Sequence, residues 1–183
     1  MGARILRPPA LAGWRIFDLL QGDNQGMDVL FLCTGNSARS ILAEALLNSR
    51  AAGRLRAHSA GSHPRGEVNP LALAVLRTCE IDAKGLRSKS WDEFAAEDAP
   101  HMDVVITVCD QAAAESCPLW PGAPVKVHWG LPDPAAVEGS DAERLAAFAR
   151  TFMLLEQRVD LMLGLPLEFF SPDELQQQLG AIR

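Results

Sequence analysis

One cysteine in this chain stands where a thiol can act as a nucleophile. In Val29-Leu30-Phe31-Leu32-Cys33-Thr34-Gly35-Asn36-Ser37-Ala38-Arg39-Ser40 an apolar run ends at Cys33, and Arg39-Ser40 follow where an apolar-periodic helix begins. Open α/β sheets bind ligands at the carboxyl ends of their strands, so this turn occupies the default position for a site. A helix N-terminus presents unpaired N–H groups and a partial positive charge, which suits a tetrahedral oxyanion. Gly35 is expected to let the backbone curl, so that Thr34, Gly35, Asn36, Ser37, Ala38 and Arg39 form an anion-binding nest. Arg39 adds a planar fork for two of the anion's oxygens. The same field predicts that Cys33 has a depressed pKa and is largely thiolate at neutral pH. Ser40 can donate its hydroxyl to that thiolate and later to the leaving sulfur. A Cys-x5-Arg match alone is weak, since a buried cysteine at a strand end can simply pack. At a strand–turn–helix junction, with Gly, Asn and Ser between, it becomes specific.

Two further features bear on the chemistry. Asp133 lies between prolines in Leu131-Pro132-Asp133-Pro134, which holds its carboxylate in a defined direction. It can serve as a general acid for a departing oxygen, or it can be an ordinary turn residue; the residues alone leave both open. Cys109 follows the apolar run 104–108, and Cys117-Pro118 comes eight positions later. Cys109 can be a packed strand-end cysteine or half of a redox pair with Cys117.

The elements that must position these groups alternate in the α/β manner. Residues 28–32 read as a buried parallel strand, with a helix over about 38–51. A second strand is expected at 55–59, and Asn69 caps a helix that starts with Pro70 and runs to about 79. Strands at 103–108 and 125–128 follow, then a Pro/Gly-rich stretch at 131–140, a long helix over 141–163 and a short one within 172–182. The pattern predicts a three-layer α/β/α sandwich with a four-stranded parallel sheet covered on both faces. Residues 1–26 are set apart as an N-terminal extension, and 27–183 as one domain; within the extension, 14–20 could be a docking helix or merely loose chain.

With 183 residues, 48% of them apolar, the chain can bury a core without staples. Its net charge of −6 argues against a nucleic-acid partner and means that a small anion must be held by local design. No apolar stretch is long enough for a membrane span. The absence of a signal-peptide pattern leads us to expect a cytoplasmic location, where Cys33, Cys79, Cys109 and Cys117 stay reduced. Cys79 falls at helical spacing and is predicted to pack in the core. His58, His63, His101 and His128 show neither metal-ligand spacing nor a carboxylate motif beside them, so no metal is expected.

Cys33-Thr-Gly-Asn-Ser-Ala-Arg39-Ser40, together with Ser59-Ala60-Gly61 and Trp129-Gly-Leu-Pro-Asp133-Pro134, resembles the low-molecular-weight tyrosine phosphatase superfamily and more narrowly its arsenate reductase branch. The resemblance covers about residues 27–165. It implies that Asp133 is the general acid, and that Cys109 and then Cys117 shuttle a disulfide away from Cys33 after arsenate is reduced to arsenite. It implies thioredoxin or glutaredoxin as reductant, with phosphate or sulfate as substrate mimics, and no organic cofactor. Ala135-Ala136 stand where the phosphatase branch usually carries aromatic residues, and the chain has no tyrosine. A protein tyrosine phosphatase using Cys33, Arg39 and Asp133, or a non-enzymatic oxyanion sensor, are the rival readings. Some members of the branch bind a monovalent cation at positions matching Asn36, Glu44 and Ser59. Here Lys89 stands where a carboxylate is expected, and its ammonium could take the cation's place.

Overall fold

Four apolar segments lie side by side and run in the same direction. The computed structural model describes residues 26–115 and 120–183. Strand β1 (Met27–Cys33) pairs with β2 (Leu55–Gly61) on one side and β3 (Val104–Thr107) on the other. Strand β4 (Val125–His128) adds outside β3, so the all-parallel order is β2-β1-β3-β4. Val29 to Leu32 in the central strand are fully buried, as a strand covered on both faces requires. Side chains alternate across the sheet: Val29, Phe31 and Cys33 join one core, while Leu30 and Leu32 join the other.

The helices are α1 (Arg39–Arg50), α2 (Pro70–Thr78), α3 (Asp110–Ala114), α4 (Asp141–Leu163) and α5 (Pro172–Ala181). On the larger face, Leu42 and Leu46 of α1 meet Leu76 of α2, Phe148, Phe152, Leu155 and Val159 of α4, and Leu179 of α5. The 148-152-155-159 spacing is the apolar stripe of a helix laid on a core. The opposite face is closed by a 3-10 turn at Trp91–Phe94, by Met102 and by Trp120, whose ring meets Trp91 edge to face at 6.4 Å. Asn69 accepts from the Leu71 N–H with Pro70 at the first helical position, and Ser140 and Ser171 each form a capping box with the Glu three residues on.

Some expectations need correction. Cys79 is exposed rather than packed in the core, because α2 ends at Thr78 and its buried stripe of Ala72, Val75 and Leu76 stops there. His58 and His128 do have carboxylate partners. His58 Nε2 lies 2.6 Å from Asp28 Oδ1 on the adjacent strand, and His128 Nε2 lies 3.1 Å from Asp110 Oδ1. Residues 30 and 18 positions apart meet only through the sheet, so no local motif shows them. The reading of residues 1–25, including the docking helix at 14–20, lies outside the described residues. Among the described residues no helix is long and apolar enough to cross a membrane, and no cluster of His, Cys, Asp and Glu is placed to hold a metal.

Candidate active site

The loop from Cys33 to Arg39 is built by the end of β1 and the start of α1. Ala38 is the N-cap and offers no side-chain acceptor, so no cap side chain covers the first-turn N–H groups of α1. The left-handed residue is Asn36, at φ +38°, and not Gly35 as expected; asparagine tolerates that region better than most residues. This bend turns the Asn36 N–H toward Cys33 Sγ at 3.2 Å. Gly61 at the end of β2 supports the loop from behind. A Cβ there would lie 2.5 Å from the Thr34 carbonyl oxygen and 2.9 Å from the Asn36 nitrogen.

A chain of hydrogen bonds reaches the sulfur through the protein interior. The Asn36 side-chain amide donates to Ser40 Oγ at 2.9 Å and to Ser59 Oγ at 2.8 Å. Ser40 Oγ lies 2.9 Å from Cys33 Sγ; since it accepts from Asn36, its own proton is available to a thiolate. Ser59 donates to Glu44, whose same oxygen lies 3.4 Å from the Lys89 ammonium. Lys89 is nearly buried, also donates to the Arg87 carbonyl at 3.3 Å, and gives its backbone N–H to Asn36 Oδ1 at 2.8 Å. The donor set therefore does not fit a monovalent cation: a positive charge already sits on the carboxylate oxygen such an ion would need.

Cys33 itself is 3% exposed. Burial pushes its thiol up; the Ser40 hydroxyl, the Ser40 N–H and the Asn36 N–H pull it down without overcoming that, and nearby Cys109 adds an upward push. The expected depressed pKa is thus corrected. The reason lies in where Arg39 points: Nη1 donates to the Leu131 carbonyl at 3.0 Å and Nη2 pairs with Asp133 Oδ2 at 3.2 Å, not with the sulfur.

Thr34, Gly35, Ser37, Ala38, Arg39 and Asp133 join Cys33 around one cleft of about 250 Å³, with Asn36 and Ser40 fully buried behind it. Asp133 caps a short 3-10 turn at Pro134–Ala136 through the Ala135 N–H, which leaves its second oxygen on Arg39. Cys109 is buried at the N-cap of α3, where its sulfur accepts from the Ala112 N–H at 3.4 Å and lies 3.6 Å from Thr34 Oγ1. Cys117 lies outside the described residues. Three lining residues escaped sequence reasoning: His63, Arg65 and Gln111. Their only signal was position, just after β2 and at the start of α3. A larger groove of about 640 Å³ between α1, α2 and α4 carries Cys79, whose thiol partial burial and the Glu156 charge push up although the Arg50 charge pulls it down. The smaller cleft can therefore do what the larger cannot: seat a tetrahedral oxyanion against a nucleophilic sulfur, with a guanidinium and a carboxyl group across from it.

Comparison with known proteins agrees with this geometry. The family model for low molecular weight phosphotyrosine protein phosphatase matches residues 28–178. An arsenate reductase of Halalkalibacterium halodurans is 38% identical over 122 residues, covering 67% of this chain and 84% of that protein. The crystal structure of an arsenate reductase from Archaeoglobus fulgidus superposes with a TM-score of 0.59 at 29% identity, covering 75% of this chain and 99% of that one. A thioredoxin-dependent arsenate reductase of Corynebacterium glutamicum gives a TM-score of 0.50 at 26% identity, covering 75% and 63% of the two chains.

Proposed function

Because this chain belongs to the low molecular weight phosphotyrosine protein phosphatase family, we propose that it uses the family's nucleophilic cysteine for reduction, as an arsenate reductase. The observation that carries this reading is the second buried cysteine. Cys109 sits 3.6 Å from Thr34 of the anion loop, and phosphate-ester hydrolysis has no use for it. The chemistry at Cys33 begins with attack of its sulfur on arsenic. One As–O bond breaks, the proton that the Cys33 thiol gives up passes by way of the Asp133 carboxylate to the departing hydroxyl, and water leaves. Cys109 then attacks Cys33 Sγ: an S–S bond forms, the S–As bond breaks, and its electron pair stays on arsenic, which departs as arsenite. Two thiols are oxidised and arsenic gains two electrons. Cys117 attacks Cys109 in turn, freeing Cys33, and a dithiol protein of the thioredoxin or glutaredoxin kind reduces the new disulfide. The thioredoxin dependence of the C. glutamicum protein supports that choice of partner class. Residues 27–183 form the catalytic domain, and Lys89 supplies from within the protein the positive charge beside Glu44.

The test is an arsenate-dependent NADPH oxidation assay coupled through thioredoxin or glutaredoxin, run beside hydrolysis of an aryl phosphate. Cys109→Ala and Cys117→Ala should each abolish arsenate turnover and leave residual ester hydrolysis untouched. Equal arsenate turnover in the variants and the parent would refute the relay.

A further inference from the structure

Two arginines, Arg39 and Arg65, line the cleft around Cys33. Arg39 is engaged with Leu131 and Asp133. Arg65, on the loop between β2 and α2, lines the same cleft. Its stem lies across Gly35: a Cβ on Gly35 would stand 3.3 Å from Arg65 Nε and 3.4 Å from its Cγ. A side chain at position 35 would press on the stem of this arginine.

The loop is held to the nest by backbone. The His63 N–H donates to the Thr34 carbonyl at 2.9 Å, and the Arg65 N–H to the Gly35 carbonyl at 3.0 Å. Ser88 ties both sides, donating to the Gly35 carbonyl and accepting from the Gly66 N–H, each at 3.2 Å. Gly66, at φ +82°, makes the turn that follows. Among the described residues, however, the Arg65 guanidinium has no hydrogen-bond or ion-pair partner. A cation fixed at its root, free at its tip and exposed at the mouth of an anion site is available to the anion itself.

Charge balance gives it a purpose. The chain carries a net charge of −6, which repels an oxyanion at long range. A dianionic substrate brings two negative charges into the cleft, while Arg39 shares its charge with Asp133. We infer that Arg65 is a specificity-determining residue that binds the outer oxygens of a small tetrahedral dianion once its inner oxygens are seated in the nest. Ala135, which also lines the cleft, is too small to add the stacking surface that an aromatic ester would want. The inference rests on the oxyanion reading of the cleft, and it names the substrate class as inorganic rather than aryl.

The experiment compares the full chain with Arg65→Ala and Arg65→Lys. It measures calorimetric binding of inorganic phosphate to the reduced protein, and arsenate kinetics across ionic strength. The Ala variant keeps the backbone bond to Gly35. It should weaken phosphate binding and raise the arsenate KM by about tenfold, the loss of one charge-assisted contact. It should leave kcat within about twofold and flatten the salt dependence of kcat/KM. The Lys variant should recover part of the loss and all of the salt dependence. Unchanged phosphate binding and salt dependence in the Ala variant would overturn the inference, as would a defect confined to aryl phosphate. Weakened phosphate binding in a protein that releases no arsenite would instead uphold the contact and refute the reductase reading.

Discussion

The sulfur of Cys33 is a buried thiol whose reactivity depends on donors rather than on a neighbouring cation. Ser40 is the principal donor, so its removal should move the titration further upward, since it is one of the few groups pulling that pKa down. Ser40→Ala should slow alkylation of Cys33 at pH 7 by about tenfold, one pKa step, measured as the pH dependence of iodoacetamide reaction. An unchanged profile would remove Ser40 from the mechanism. Farther along the same chain of bonds, Lys89 and Glu44 are both largely out of water, at 8% and 13% side-chain exposure. Breaking the pair leaves one buried charge uncompensated. Lys89→Met should therefore cost about 3 kcal/mol in chemical denaturation, and adding Glu44→Gln should restore most of it. Nothing in the local sequence revealed this pair as geometry: positions 44 and 89 meet only because α1 and the segment after α2 flank the same strand end.

At the scale of elements, the anion loop depends on how closely β2 approaches it. Gly61→Ala should destabilise the fold and abolish turnover together, because its Cβ would meet backbone atoms of Thr34 and Asn36 that cannot swing aside. Circular dichroism melting with the activity assay reads both; an active, equally stable variant would show that the loop tolerates displacement. Asn69→Ala, by contrast, should cost only about 1 kcal/mol through the lost cap of α2. The elements themselves were legible because each carries its own signal. The apolar run at β1, the Asn69-Pro70 start of α2 and the Ser140-x-x-Glu143 start of α4 are local chemistry. The strand order was not legible, since parallel strands far apart in sequence share no local code, and neither were the 3-10 turns at Trp91–Phe94 and Pro134–Ala136. At the site, Cys33, Arg39, Ser40 and Asp133 were readable from spacing and resemblance. Asn36 as the bend, the upward shift of Cys33 and the presence of Arg65 were not. Each of these depends on the direction in which a side chain turns after folding.

For the molecule as a whole, pH acts at the edge of the sheet opposite the cleft. Burial pushes the Asp28 carboxyl up, but hydrogen bonds and charge from Arg56 and His58 more than reverse this and hold it below the ordinary carboxylate range. A depressed carboxyl contributes stability that is fully present above its unfolded value of about 3.9 and is lost as pH falls through the lower folded value. Asp103, pushed up by burial, has the opposite sign and partly offsets it on acidification. Asp28→Asn should lower stability at pH 7 by about 1–2 kcal/mol and flatten the fall in melting temperature below about pH 4. A parallel pH profile in the variant would show that Asp28 is not the group being read. The proposed function hinges on electrons leaving two cysteines together. The most direct measurement is a single turnover: fully reduced protein is mixed with excess arsenate and no reductant, arsenite is quantified, and the disulfide is mapped by mass spectrometry. The relay gives one arsenite per chain, with Cys109 joined to Cys117 and Cys33 returned to the thiol. No arsenite, with all three thiols still free and aryl phosphate hydrolysis intact, would contradict it.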